Sequence, residues 1–144
     1  MRNILILNGP NLNMLGLREP EIYGSDTLQD VEEMCYEEAH AHDFKPDLRQ
    51  SNHEGELVEW IQQARGMFAG VIINAAAYTH TSVAIHDALK LLDCPIIEVH
   101  ISDPKKREKF RHFSYIEPVA VCVIAGRGAQ GYRDAIKKLA ELLS

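Results

Sequence analysis

The chain has 144 residues, 46% of them apolar, 25% charged and 7% aromatic, with a formal net charge of −6. That length suits one domain with a real core, and ordinary apolar content with modest charge excludes a disordered chain. The acidic balance argues against general nucleic-acid binding, and no apolar run approaches the roughly 18 residues of a membrane span. Met1-Arg2-Asn3-Ile4 runs straight into a short apolar segment with no small-residue cleavage site. This reads as a cytoplasmic protein without a signal peptide. Cys35, Cys94 and Cys122 are odd in number and form no CxxC, which fits reduced core cysteines better than disulfides or a zinc site.

Asn3-Ile4-Leu5-Ile6-Leu7 is the first predicted strand. From Gly9 to about Ser25 neither period is present, and a loop of that length in a small domain is usually functional or mobile. Asp26 and Thr27 offer caps for a helix with Leu28, Val31, Met34, Cys35 and Ala39 inward. Asp47-Leu48-Arg49-Gln50 is a weaker, polar strand that belongs at a sheet edge. Leu57, Val58, Ile61 and Ala64 line a second helix before the strand Gly70-Val71-Ile72-Ile73. Ile85, Ala88, Leu89 and Leu92 line a third before Pro95-Ile96-Ile97-Glu98-Val99. A short helix at most is expected over residues 105–110, then a fifth strand over 119–124. Tyr132, Ile136, Leu139 and Ala140 line the last helix. Short, continuous apolar runs suit parallel strands covered on both faces. The alternation predicts an α/β fold, a flavodoxin-like three-layer sandwich with a five-stranded parallel sheet, residues 1–144 forming one domain.

In such sheets ligands bind beyond the carboxyl ends of the strands. After the first run come Asn8 to Asn13; after the edge strand, Gln50-Ser51-Asn52-His53-Glu54. Asn74 follows the third, with Thr79, His80 and Thr81 close behind, and the fourth ends in Glu98, His100 and Ser102. Uncharged hydrogen-bonding residues thus gather at one edge of the sheet, as a polar small-molecule site requires. The long loop holds Arg18, Glu19, Glu21 and Tyr23, shaped by Pro20 and Gly24. An arginine five residues from a tyrosine fits an activated phenol; the alternative is a packed Tyr23 and a solvated Arg18. Period-2 geometry puts Glu98, His100 and Ser102 on one face, where a carboxylate orients and charges an imidazole, unless His100 is simply a satisfied structural histidine. Lys105, Lys106, Arg107, Lys109 and Arg111 form a basic run of the kind that is usually a solvated helix face. In it Arg111 and His112, flanked by Phe110 and Phe113, are the members best held in place.

Other signals fail on context. Gly126-Arg127-Gly128-Ala129-Gln130-Gly131 matches GxGxxG between a strand and a helix. The chain ends too soon after it for the next strand and the acidic residue of a dinucleotide fold. The glycines are better read as permitting a tight turn and helix packing. His40 and His42 point to different helix faces, His80 and His86 lack the i, i+4 relation, and no HExxH or EF-hand loop occurs, so no metal is expected. No GxSxG elbow is present. Asn8-Gly9-Pro10 stands where a phosphoryl-receiver domain wants acidic residues.

Taken together, Asn8-Gly9-Pro10-Asn11-Leu12-Asn13, Arg18-Glu19-Pro20-Glu21-Ile22-Tyr23-Gly24, Gln50-Ser51-Asn52-His53-Glu54-Gly55 and Ala77-Tyr78-Thr79-His80-Thr81-Ser82 resemble the successive motifs of type II 3-dehydroquinate dehydratase. Glu98-Val99-His100-Ile101-Ser102, Arg107-Glu108, Phe110-Arg111-His112 and the glycines leading to Tyr132 continue the resemblance over essentially the whole chain. Departures are Asp103-Pro104-Lys105-Lys106 in place of a commoner Asn-Ile-His-Ala, Ala75-Ala76 where Pro-Gly is frequent, and Cys122 where glycine is usual.

The resemblance implies reversible dehydration of 3-dehydroquinate to 3-dehydroshikimate, in the shikimate or the quinate pathway, by stepwise anti elimination through an enolate. It implies no metal or organic cofactor, and a homo-oligomer, a dodecamer built from trimers. By motif, Tyr23 is the base, Arg18 on the same lid loop (residues 9–24) supports the tyrosinate, and Asn11 holds the water that stabilises the enolate oxygen. His100 is the general acid and Glu98 its orienting partner. Asn74, His80 and Arg111 grip ring hydroxyls, the Ile101 and Ser102 backbone N–H groups hold the carboxylate, and Asp87 reaches a neighbouring subunit's site. A free tyrosine has a pKa of about 10, so a phenolate at neutral pH costs about 4 kcal/mol. One exposed ion pair returns only about 0–1 kcal/mol. A closed, dry site with a second cation is therefore expected, Arg111 being one candidate. The competing class is a non-catalytic flavodoxin-like module that binds FMN or a small acidic metabolite.

Overall fold

The computed structural model describes residues 1–17 and 19–144, so Arg18 lies outside the described residues. Strands β1 (Arg2–Asn8), β2 (Phe44–Gln50), β3 (Gly70–Asn74), β4 (Ile96–Val99) and β5 (Cys122–Ile124) form one parallel sheet in the order β2-β1-β3-β4-β5. Helices α1 (Pro20–Tyr23), α2 (Leu28–Ala41), α3 (Glu54–Ala64), α4 (Val83–Leu89) and α5 (Gln130–Leu143) complete the described elements, with several 3-10 turns between them. This is the flavodoxin-like α/β sandwich that the apolar runs predict.

Strand alternation sorts the side chains into two cores. Ile4, Ile6, Ile72 and Ile97 pack with Val31 and Cys35 of α2 and with Ile136 and Leu139 of α5. Leu5, Leu7, Val71 and Ile73 pack with Leu57 and Ile61 of α3 and with Ile85 and Leu89 of α4 on the other face. Each such fully buried side chain is worth about 1.5–3 kcal/mol. Of the two caps expected for α2, Thr27 is the one used. Its hydroxyl accepts the Asp30 N–H at 3.1 Å and Asp30 accepts the Thr27 N–H at 2.9 Å, a reciprocal box. All three cysteines are free, and burial is the main cause that pushes the Cys35 thiol up to about 12.

The polar strand β2 lies at the sheet edge as expected, though it begins at Phe44, and Pro46 is tolerated there because an edge strand does not need every N–H. Three expectations need correction. The fifth strand is shorter than residues 119–124, because Pro118 sits in a 3-10 turn, Glu117–Val119, and leaves Cys122–Ile124 as the paired part. No α-helix forms over residues 105–110. Two 3-10 turns, Pro104–Lys106 and Lys109–Arg111, are separated by Arg107 and Glu108, and the extended Arg107 backbone (φ −110°, ψ −161°) breaks helical propagation. The long first loop is partly regular, with a 3-10 turn at Leu12–Met14 and α1 started by Pro20 at its first position.

Strand order reverses about β1, and its last residue, Asn8, pairs in register with Asn74 at the end of β3. The ligand crevice of such a sheet opens at that divergence. Gly9 crosses it with its N–H bonded to the Asn74 carbonyl at 2.8 Å, and a Cβ there would lie 2.5 Å from the Ala75 oxygen. Ala76 follows with φ +53°, a left-handed backbone that an alanine adopts only at a cost. Ala76→Gly is therefore expected to stabilise the fold by about 1 kcal/mol, a Tm rise of about 3 °C read by calorimetry. A lowered Tm would contradict this account of Ala76.

Candidate active site

The carboxyl ends of β1, β3 and β4 open into a cleft of about 500 Å³, solvent at its mouth included. Asn11, Tyr23, Asn74, His80, His100 and Arg111 all line it, together with Ile101 and Ser102. Eight of the sequence-predicted residues are thus brought to one place from four separate segments.

Glu98, next to last in β4, has a side chain only 2% exposed, and His100 Nε2 lies 2.5 Å from its carboxylate. Ser114 Oγ is 3.1 and 3.0 Å from the two carboxylate oxygens. Because that hydroxyl accepts the N–H groups of Ile116 and Glu117, its one hydrogen goes to Glu98. The carboxylate is fixed from two sides, and His100 keeps Nδ1 as its remaining polar ring atom. Ser102 does not join this pair; its hydroxyl accepts from Arg107 Nη1 at 3.2 Å. The Ile101 and Ser102 carbonyls accept the N–H groups of Gly128 and Gly126, which holds the turn after β4 against the glycine-rich segment.

His80 Nδ1 donates to the Phe113 carbonyl at 2.8 Å, so Nε2 is the acceptor of the neutral ring. Burial lowers its pKa from the usual 6.5; the Phe113 bond and Glu98 oppose that shift, and the His100 and Arg111 charges add to it. Asn11 has a left-handed backbone (φ +69°) and its N–H donates to Asn52 Oδ1 at 2.9 Å, so the segment after β2 braces the one after β1.

Tyr23, at the end of α1, is half-buried against the core on the α2 and α5 side and also faces the cleft. The Arg107 guanidinium stands 5.2 Å from the centre of its ring. Arg111, the candidate second cation for this ring, is instead tied to Glu108 at 3.1 Å while still lining the cleft. Arg107 is the cleft residue that sequence reasoning underrated. Its side chain is 15% exposed, its Nε is buried without a hydrogen-bond acceptor among the described residues, and its carbonyl accepts from His112 Nε2 at 2.9 Å. The motif pair Arg107-Glu108 was its only signal. Ser114 was missed outright, since it lies in an irregular segment with no period to read. Asp87 is exposed on α4 and does not line this cleft. Arg18 lies outside the described residues.

Among the described residues no group of His, Cys, Asp and Glu is placed to hold a metal ion, and no helix is long and apolar enough to cross a membrane. A flavodoxin-like α/β sandwich with a buried Glu–His pair, a tyrosine under a guanidinium and polar side chains at the strand ends defines an enzyme-type site for a small polar ligand. Residues 2–140 match the family described as dehydroquinase class II. The chain is 57% identical over 97% of its length to "3-dehydroquinate dehydratase 2" of Pseudomonas putida, covering 94% of that protein. It is 60% identical over 96% of its length to "3-dehydroquinate dehydratase" of Streptomyces avermitilis, covering 88% of it. The crystal structure of a type II dehydroquinase from Butyrivibrio crossotus superposes with a TM-score of 0.93 at 44% identity, covering 96% of this chain and 97% of that one. The chain belongs to the class II dehydroquinase family.

A depressed histidine pKa means that the fold favours the neutral ring, so the stability His80 contributes is complete above about pH 6.5 and is lost as pH falls through its lowered midpoint. An NMR titration is expected to place the His80 midpoint below 6.5, and His80→Gln to flatten the acid side of the stability curve. A midpoint at or above 6.5 would contradict the burial argument.

Proposed function

We propose that the chain dehydrates 3-dehydroquinate reversibly to 3-dehydroshikimate, in the shikimate or the quinate pathway, by stepwise anti elimination through an enolate. The observation that carries the reading is that Tyr23 and His100, the base and acid of the family motifs, line one cleft. The substrate is a β-hydroxy ketone, whose own carbonyl accepts the electron pair released on proton loss, so the reading requires no cofactor.

Tyr23 as tyrosinate takes the proton beside the ketone; the C–H pair becomes the enolate and Asn11 holds the water that stabilises its oxygen. The enolate then re-forms the ketone and expels the β-hydroxyl. The C–O pair leaves with oxygen, His100 supplies a proton, and water departs. Glu98 orients the imidazole and stabilises its protonated form. Phenol and neutral imidazole return to their starting states by proton exchange with solvent. Asn74, His80 and Arg111 hold ring hydroxyls, and the backbone N–H groups of Ile101 and Ser102 hold the carboxylate.

The phenolate costs about 4 kcal/mol at neutral pH. Arg107 beside the Tyr23 ring supports it, joined by Arg18 when the lid of residues 9–24 excludes water. The assembly proposed is the dodecamer built from trimers, in which Asp87 serves a neighbouring subunit's site, and the compartment is the cytoplasm.

Tyr23→Phe is expected to leave a folded protein that binds substrate but loses at least about a hundredfold in kcat, in the range of a lost general base. Near-unchanged kcat would sink Tyr23 as the base. His100→Ala is expected to abolish water loss while the substrate's α-proton still exchanges with deuterated solvent, followed by proton NMR. Loss of exchange together with dehydration would show that His100 is not reserved for the second step.

A further inference from the structure

The glycine-rich segment before α5 has a geometric consequence at the cleft. A Cβ on Gly131 would stand 3.3 Å from Val99 Cγ2 and 3.5 Å from Ile124 Cγ2, so the first turn of α5 rests directly on β4 and β5. That close approach sends the next side chain, Tyr132, fully buried, to the divergence of β1 and β3. Its hydroxyl lies 2.5 Å from Asn8 Oδ1 and 3.0 Å from Asn74 Nδ2. Burial raises the Tyr132 pKa, and the phenol stays protonated.

The polarity of this chain of bonds is set from one end. A backbone N–H can only donate, and the Ala76 N–H reaches the Asn74 side chain at 3.1 Å, so Oδ1 must face it. Nδ2 therefore faces Tyr132 and donates to the phenol oxygen. The phenol hydrogen then has one acceptor left, Asn8 Oδ1. Asn74 thus has its oxygen and one amide hydrogen engaged internally and a single N–H left over, and it lines the cleft at 3% exposure.

We propose that Tyr132 is a positioning residue that fixes Asn74 as a hydrogen-bond donor, with one N–H, to a lone pair on a substrate ring oxygen. This rests on the dehydratase reading for the identity of the substrate, not for the orientation itself. Next to it, neutral His80 offers an acceptor, Nε2, so the two side chains read complementary faces of neighbouring ring hydroxyls. Without the Tyr132 hydroxyl, Asn74 Nδ2 and Asn8 Oδ1 both lose a buried partner, and the Asn74 amide is held by the Ala76 N–H alone.

A double-mutant cycle separates this role from general support of the fold. Wild-type turnover of 3-dehydroquinate tests the functional reading by itself. In the wild-type background Tyr132→Phe is expected to lower kcat/KM about tenfold, mostly through KM, as loss of one well-placed hydrogen bond does. In the Asn74→Ala background the same change is expected to cost less than about twofold, because its effect runs through Asn74. Equal losses in both backgrounds would overturn the proposal. An independent measurement needs neither turnover nor a variant. In ¹⁵N-labelled wild-type protein one Asn74 side-chain amide proton is expected to be protected from solvent exchange and the other to exchange freely until substrate is added. Two equally fast-exchanging protons would overturn the proposal even if every variant failed to fold.

Discussion

The arrangement of the cleft depends on a carboxylate buried at the end of β4. Removing an ionised carboxylate from water costs roughly several kcal/mol unless its oxygens find donors. Glu98 finds two, the His100 ring and the Ser114 hydroxyl. Satisfying Glu98 draws the irregular chain between β4 and β5 back onto the sheet. That chain brings the Phe113 carbonyl to His80, and Arg107 and Arg111 to the cleft. One buried charge thus places His100, His80 and two guanidinium groups at the cleft.

The two arginines are held by different contacts. Glu108 lies 3.1 Å from Arg111 Nε and, less closely, 3.8 Å from Arg107 Nε, while Arg107 keeps its guanidinium against the Tyr23 ring and its backbone under His112. Low exposure matters more here than proximity, since a cation in a partly dry site interacts far more strongly with a developing anion than one in water. Separation of a positive side around Tyr23 from the negative Glu98 behind His100 is what the proposed elimination needs, because its base must become anionic and its acid cationic within one small cavity.

Much of this was legible in the sequence. Short β-branched runs gave the strands and their both-face burial, and the polarity of β2 gave its edge position. Asn8, Asn74 and His100 were visible as polar residues closing apolar runs. The failures fall where no period exists. Arg107 looked like one cation in a solvated run, because its extended backbone between two 3-10 turns leaves no trace in composition. Ser114 acts through two backbone N–H groups of its own turn, a local bond that no spacing rule reports. The packing expected of the glycine-rich segment is seen at Gly131, which stands against Val99 and Ile124. Its effect on Tyr132 depends on a close approach of 3.3 Å, which only coordinates reveal.

The most direct measurement is ultraviolet absorbance of the purified protein mixed with 3-dehydroquinate. The account expects absorbance to rise as the conjugated enone of 3-dehydroshikimate forms, from protein that is colourless and has had no cofactor added. A flat trace from folded protein, or a yellow protein whose bound flavin accounts for the cleft, would contradict it.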